Sequence, residues 1–424
     1  MLNFTFLKKF SINMILKIIT IILGVIISLL ISRKLGVNQL GFYNLATQSL
    51  NIFVLFSLLG LPQILTKEIS LDNSKSFFQN VKSKGLSGVI ISLISSIFIV
   101  LILIVSEVQF SVIKIFNIEN ILYFSLILTC VIPTSITNIF ASILNGSNKI
   151  WQSNLLRESL TIILLIVSLT IIYLFGTFNI KTLTYSILIS RWGTLFIGLL
   201  FIHKETVLFK DYNFQFIGKK LLKSSYPLLL AGLVSTISTN IDTLMLGSML
   251  STKEVGLYGV ASRIALSTSF LLQVTNSIIA PQISPLYFND RKKELVDLIK
   301  KITTYLTLLC IIIFCVLFIF GENILSIWGE NFIEAYQTLI ILAFGQTINI
   351  GTGAVGLLLV SCNQQKVFGK ITFSVSLLNI LLNYIFISFY GLNGAALSTS
   401  ISVILQNITC LYFVKSRLNI KIIL

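Results

Sequence analysis

NMILKIITIILGVIISLLIS (Asn13–Ser32), RKLGVNQL (Arg33–Leu40) and GFYNLATQSLNIFVLFSLLG (Gly41–Gly60) follow one another near the start of the chain. Each flanking run is long enough to cross a hydrocarbon core of about 30 Å as a helix, and the polar stretch between them is only long enough to turn. The same unit recurs to the C-terminus. Further apolar runs lie at Leu86–Val105, Ile121–Leu144, Gln152–Phe175 and Thr182–Ile202, then at Tyr226–Gly247, Val255–Leu286, Ile302–Phe320, Tyr336–Ser361, Phe368–Tyr390 and Asn393–Phe413. None shows the alternation of a barrel strand, and a helix satisfies its own backbone inside lipid. The expected fold class is therefore an all-α integral membrane protein with twelve transmembrane helices. Composition agrees: 55% of the 424 residues are hydrophobic, 11% are charged and the mean hydropathy is +0.95, leaving too little polar surface for a water-soluble protein of this length.

Counting cations by loop sets the orientation, because cytoplasmic loops retain Lys and Arg during insertion. With the N-terminus inside, the inner segments hold 23 of the 31 cations and the outer loops five (Arg33, Lys34, Lys114, Lys181 and Lys253), while Lys17, Arg191 and Arg263 lie within spans. One miscounted helix would blur this contrast, so an even number of spans with cytoplasmic N- and C-termini is expected. The net charge of +16 then reflects basic loops facing anionic headgroups.

Other classes find little material. No basic run is interleaved with exposed aromatics, and most of the 32 Phe lie in the spans, so nucleic acid is not an expected partner. Lys8 and Lys9 precede an apolar run too long for a signal peptide, with no small-residue cleavage site after it. Cys130, Cys310, Cys315, Cys362 and Cys410 form no CxxC pair and read as packing residues, and the single histidine, His203, sits at an interface. Gly351-Thr-Gly353-Ala-Val-Gly356 matches GxGxxG but lies inside a membrane helix, where close packing is its use, and no Walker A pattern occurs. No metal or cofactor, and no enzymatic role, is expected.

The chain also repeats itself. Gly41-Phe-Tyr43-Asn-Leu-Ala46 recurs in the second half as Gly256-Leu-Tyr258-Gly-Val-Ala261. The offset that carries Gly41 onto Gly256 also relates Leu144 and Asn148 to Leu359 and Asn363, and Phe175-Gly176 to Tyr390-Gly391. Six spans per copy keep both copies in one orientation, giving an N-terminal lobe (1–203) and a C-terminal lobe (226–424). Residues 204–225, with four aromatics among their lysines, read as an amphipathic cytoplasmic linker on the membrane surface. Asn289–Lys301 is expected to extend a helix pair into the cytoplasm.

Arg33-Lys-Leu-Gly36 followed by Gly41-Phe-Tyr43 resembles the "ARxLG…GxY" hairpin of polysaccharide repeat-unit flippases, within the multidrug/oligosaccharidyl-lipid/polysaccharide exporter superfamily. The resemblance continues through Gly60-Leu-Pro62, Leu144-Asn-Gly146-Ser-Asn-Lys149, Asn240-Ile-Asp242-Thr-Leu-Met-Leu-Gly247, Glu254-Val-Gly256-Leu-Tyr258, Ala261-Ser-Arg263-Ile and Gly391-Leu-Asn-Gly394-Ala-Ala396. It covers essentially the whole chain, and Ser32 replaces the family's usual Ala before the Arg. It implies two six-helix lobes around a central cavity, working by alternating access in a bacterial inner membrane. It implies a cargo of undecaprenyl-diphosphate-linked oligosaccharide, passed outward for O-antigen or capsule assembly, with polymerase and chain-length proteins of the same pathway as partners. The second reading is an ion-coupled drug or cation exporter of the same superfamily. A membrane polymerase would need a larger outer loop than Ser106–Asn120.

Charges within spans are the site candidates, since each is costly unless it meets protein, water or cargo. Arg191 has no acid in its own span: it either lines a cationic cavity facing a diphosphate or acidic sugar, or binds another helix. Arg157 and Glu158 either line the inner vestibule or anchor at the interface. Asp242 and Arg263 flank the short outer turn at Ser251–Lys253 and are expected at similar depth as an ion pair, with a coupling-ion role for Asp242 competing. Arg263 and Arg33 complete the cationic candidates for substrate binding. Asn148 and Asn363 could bond sugar hydroxyls or join helices.

Overall fold

The computed structural model describes residues 4–105, 121–176, 178–210 and 212–420. Every regular element among them is helical, as the need to satisfy the backbone inside lipid requires. The expected outer interval Ser106–Asn120 lies outside the described residues. The chain forms two compact units, Met1–Ile237 and Ser238–Leu424.

In the first unit, α1 (Phe4–Leu35) turns at Gly36, which takes φ +86°, into α2 (Val37–Leu58). Two consecutive left-handed residues, Leu59 and Gly60, then bend the chain by 50° into α3 (Leu61–Ser74). Pro62, in the first turn of α3, has no N–H to leave unsatisfied there. Next come α4 (Phe78–Ile104), α5 (Ile121–Leu128), α6 (Val131–Gly146) and α7 (Ile150–Asn154). A single π turn, Leu155–Ser159, joins α7 to α8 (Leu160–Phe175), and α9 (Ile180–Glu205) follows. The almost wholly buried α6 is the centre of this unit and packs on α2, α3, α4 and α9.

Lipid as solvent explains which faces turn inward. On α9, Ser186, Ser190 and Thr194 are buried, while Ile189, Trp192 and Phe196 are exposed. On α4, Ser83, Ser87, Ser92 and Ser96 are buried while Ile94, Phe98 and Leu101 face outward. Small polar side chains let helices approach closely and bond across the contact, whereas lipid tails accept the bulky apolar ones.

The helix α10 (Gly218–Met249) begins in the first unit and ends in the second. The second unit continues with α11 (Thr252–Phe288), α12 (Lys292–Ser326), a 3-10 turn at Glu330–Ala335, α13 (Tyr336–Gly351), α14 (Val355–Ser361) and α15 (Gln365–Leu418). Here α13 is central and packs on α11, α12 and α15. The 54-residue α15 is broken at Gly391, whose φ +55° and ψ −130° are not helical. Among the described residues eight helices are long and apolar enough to cross a membrane, or ten if each of two bent pairs is one span.

The internal repeat has a backbone counterpart. Asn148 and Asn363 both take φ +60°. Lys149 N donates to Leu144 O at 2.8 Å, and Gln364 N donates to Leu359 O at the same distance. In each copy a left-handed Asn therefore closes the preceding helix with a six-to-one bond, and the next helix starts at Ile150 or Gln365. The helix starts Val37 and Thr252 are related by the same offset as Asn148 and Asn363.

The expected linker is helical at its two ends, 204–205 and 218–225, and between them the described residues form a non-helical strap on α4. Gln215 N and Ile217 N each donate to α4 hydroxyls, Ser83 Oγ and Ser87 Oγ, at 3.1 Å. Lys82 Nζ bonds Lys210 O at 2.7 Å, and the buried Leu208 lies against Gly85. Phe209, Tyr212, Phe214 and Phe216 point outward.

Candidate functional site

Four helices of the first unit, α2, α6, α8 and α9, and the π turn before α8 converge on a polar cavity of about 190 Å³. α9 contributes Arg191, eleven residues from its start and fourteen from its end, and thus near mid-span. The guanidinium is half-buried and makes no hydrogen bond or ion pair among the described residues. An arginine keeps its charge in any protein environment, so this cation is presented to the cavity without a counter-charge.

The π turn contributes Arg157. One extra residue in that turn shifts the phase of the helix, and local bonds hold it in place. Ser153 Oγ donates to Ala141 O at 2.6 Å, and Ser159 Oγ meets Thr20 Oγ1 of α1 at 2.8 Å. Single π turns inside α-helices are rare and concentrate at functional sites. Arg157 Nη2 donates to Ser142 Oγ at 3.2 Å, leaving most of its donor fork uncommitted. Glu158, its neighbour in sequence, is exposed and does not line the cavity.

Neutral oxygens and amides, Thr134, Thr137, Thr161, Thr194, Asn51 and Asn138, complete the wall together with Val54 and Leu156. Thr161 and Thr194 pair at 3.1 Å, and Asn138 Nδ2 bonds Thr134 O at 3.0 Å. The Thr134 hydroxyl oxygen is buried with no hydrogen-bond partner among the described residues. No carboxylate lines this cavity among the described residues. Two permanent cations, an unsatisfied hydroxyl and several neutral hydrogen-bonding groups make an environment that favours an anion carrying several acceptors.

In the second unit Asp242, on α10, is buried and held by three neutral donors. Tyr258 OH reaches Oδ2 at 2.7 Å, Thr399 Oγ1 reaches the same oxygen at 2.6 Å, and Asn383 Nδ2 reaches Oδ1 at 2.7 Å. The expected pairing with Arg263 is thus replaced by a cage of neutral groups. Helix register supplies the reason. Asp242 lies seven residues before the end of α10 and Tyr258 six after the start of α11, so they sit level. Arg263 is five residues further along, about 7.5 Å deeper at 1.5 Å per residue.

Of the residues singled out from sequence, Arg157 and Arg191 share the polar cavity. Arg33 is exposed in the last turn of α1, and Arg263 is half-buried on α11 in the other unit. Asn148 and Asn363 are exposed and serve the backbone as left-handed helix-ending residues. Sequence reading missed the threonine wall, Asn51 and Asn138, and the Tyr258, Thr399 and Asn383 cage. For the cage a signal existed: Asn379 and Asn383 lie four apart in an otherwise apolar stretch, on one face of α15.

A family model described as "Polysaccharide biosynthesis protein" matches residues 6–287, about two thirds of the chain. The chain belongs to that family. A second model, MatE, matches residues 227–385. The "Probable low-salt glycan biosynthesis flippase Agl15" of Haloferax volcanii is 25% identical over 92% of this chain and 79% of its own length. A Shigella flexneri protein named for O-antigen transport is 21% identical over 89% of this chain and 90% of its own. Among solved structures, an inward-facing multidrug resistance MATE transporter of the MOP superfamily superposes with a TM-score of 0.75 over 97% of both chains, at 17% identity. The lipid II flippase MurJ, in an inward closed conformation, superposes at 0.72 over 95% of this chain and 87% of its own, at 20% identity. The family member described here therefore has the MATE/MurJ fold.

Proposed function

We propose that the chain is a flippase that carries undecaprenyl-diphosphate-linked oligosaccharide repeat units from the cytoplasmic to the outer leaflet by alternating access, for O-antigen or capsular polysaccharide assembly. The observation that carries this reading is the cavity with Arg157 and Arg191 in its wall and no carboxylate, in a chain whose relatives are named for glycan flipping and O-antigen transport. A cavity of that sign attracts a diphosphate or an acidic sugar and repels a cationic drug. The exporter reading draws on the MatE match and on Asp242, which is in the other unit and lined by neutral donors. In the flippase, Asp242 is a site for a coupling proton or monovalent cation, which would neutralise a carboxylate that no basic side chain in its cage balances.

The proposed topology has twelve spans, with both termini cytoplasmic in a bacterial inner membrane. The α10 helix and the break at Gly391, which divides α15 into two membrane-length arms, support that count. Polymerase and chain-length proteins of the same pathway are the expected partners. The test is purified protein in liposomes loaded with a fluorescent undecaprenyl-diphosphate oligosaccharide. Protein-dependent exchange of the label between leaflets is expected; export of cationic dyes with no exchange of the lipid would overturn the reading.

A further inference from the structure

A second cavity of about 190 Å³ adjoins the polar one, and Arg157 and Asn138 belong to the walls of both. Its other walls are mostly apolar: Leu55 and Leu58 from α2, Gly60 and Pro62 from the α2–α3 bend, and Leu228 and Gly232 from α10, with Gln63 of α3 the one further polar side chain. Two chambers of unlike polarity thus meet at a seam marked by one guanidinium and one amide. Both are smaller than the roughly 300–1,000 Å³ of a pocket that encloses a drug-sized ligand, so each admits a fragment of a larger molecule.

A molecule that fits both chambers has an anionic group joined directly to a hydrocarbon chain. We propose that this seam seats the junction between phosphate and lipid of an isoprenyl diphosphate. The phosphate oxygens lie between Arg157 and Arg191, and the first isoprene carbons enter the Leu55–Leu58–Leu228 chamber. The inference rests on the flippase reading and deepens it by assigning the lipid-phosphate junction to the first unit, with the sugar outside both chambers. Three features of the seam support the assignment. Arg191 carries no partner among the described residues, so an arriving anion displaces none of them. Arg157 is anchored through a single bond to Ser142 Oγ, leaving donors for a second acceptor. Gly232 keeps the apolar chamber open: a Cβ there would already stand 3.1 Å from Leu55 Cδ1, so a larger side chain occupies the chamber.

Linking two weakly held halves makes the second contact intramolecular and multiplies affinity, which gives the test. Binding of geranylgeranyl diphosphate, inorganic diphosphate and geranylgeraniol to the purified full-length protein is measured by calorimetry. The lipid diphosphate is expected to bind at least tenfold more tightly than either half. Arg157→Ala and Arg191→Ala should weaken both diphosphates at least tenfold and leave the alcohol unchanged. Gly232→Leu and Leu228→Trp should abolish the advantage of the lipid diphosphate while preserving inorganic diphosphate binding. A diazirine-bearing geranylgeranyl diphosphate should label α2 at Leu55 or Leu58 in the unmodified protein, which settles the matter if a variant fails to fold. Equal affinities for the two diphosphates, an unaltered Arg157→Ala, or labelling confined to the second unit would overturn the assignment. If the binding pattern holds but liposome exchange fails, the transport reading falls and the site stands; if exchange holds and these variants bind as the unmodified protein does, the site falls alone.

Discussion

Arg191 stands in the middle of a membrane helix without a partner among the described residues, at a position where insertion scales set a charged side chain at about 2.5–3.5 kcal/mol unfavourable. A residue that harms folding and meets no protein group is one retained for what it binds. Arg191→Leu is therefore expected to insert normally and to raise the melting temperature of the purified protein, yet to reduce restoration of surface polysaccharide in a flippase-null strain at least tenfold. Full restoration would remove Arg191 from transport. Asp242 makes the opposite case, since its carboxylate has three donors. The double change Asp242→Arg with Arg263→Asp should not recover the activity lost in either single change, because a guanidinium at 242 would face Tyr258, Thr399 and Asn383 rather than an acid. Asp242→Asn should fold, and should make leaflet exchange in liposomes independent of an imposed proton or sodium gradient. At this scale the sequence showed which charges were misplaced but not which of them met. Arg157 and Arg191 are 34 positions apart and share a wall only through packing around α6.

The breaks between helices carry as much information as the helices. Gly60 combines φ +75° with a close approach in which a Cβ would lie 2.4 Å from Ser225 O and 2.6 Å from Leu229 N. Gly60→Ala should accordingly cost more than the ~1–2 kcal/mol of a left-handed L-residue alone, seen as a lower melting temperature and a lower yield of monodisperse protein. The strap over α4 is expected to be held by modest forces: two serine hydroxyls accept its backbone N–H groups, at about 0.5–1.5 kcal/mol each. Ser83→Ala combined with Ser87→Ala should leave global melting nearly unchanged while speeding tryptic cleavage at Lys210 several-fold. Most long helices were legible from apolar runs alone, but α3 (Leu61–Ser74), which falls between two of those runs, was not. The π turn at Leu155–Ser159 was not legible, because its extra residue is set by contacts with Thr20 and Ala141 that no local pattern encodes.

For the molecule as a whole, the repeat that maps Gly41 onto Gly256 was readable in advance, since a repeated unit writes itself directly into sequence. The repeat is not symmetric in chemistry. Stepping back by that same offset from Asp242, Tyr258, Asn383 and Thr399 arrives at Ile27, Tyr43, Ser168 and Thr184, so the Tyr and Thr recur while the acid does not. The buried acid is thus particular to the second copy, just as the cavity with two arginines belongs to the first. How many times the chain crosses the membrane turns on α15, whose 54 residues would extend about 80 Å as one straight helix at 1.5 Å per residue, more than twice a hydrocarbon core of about 30 Å. A single tilted span cannot absorb that excess, and in the proposed topology the break at Gly391 divides α15 into two spans that return the chain to its starting side. Of the five native cysteines only Cys315 is exposed, so a cysteine-free background requires few surface changes. Single cysteines placed at Lys366, Tyr390 and Lys415 are then probed with an impermeant maleimide. Tyr390→Cys should react in intact cells, while Lys366→Cys and Lys415→Cys should react only after the membrane is opened. Reaction at 366 and 415 from opposite sides would mean one crossing in this region, an odd total, and loss of the twelve-span topology.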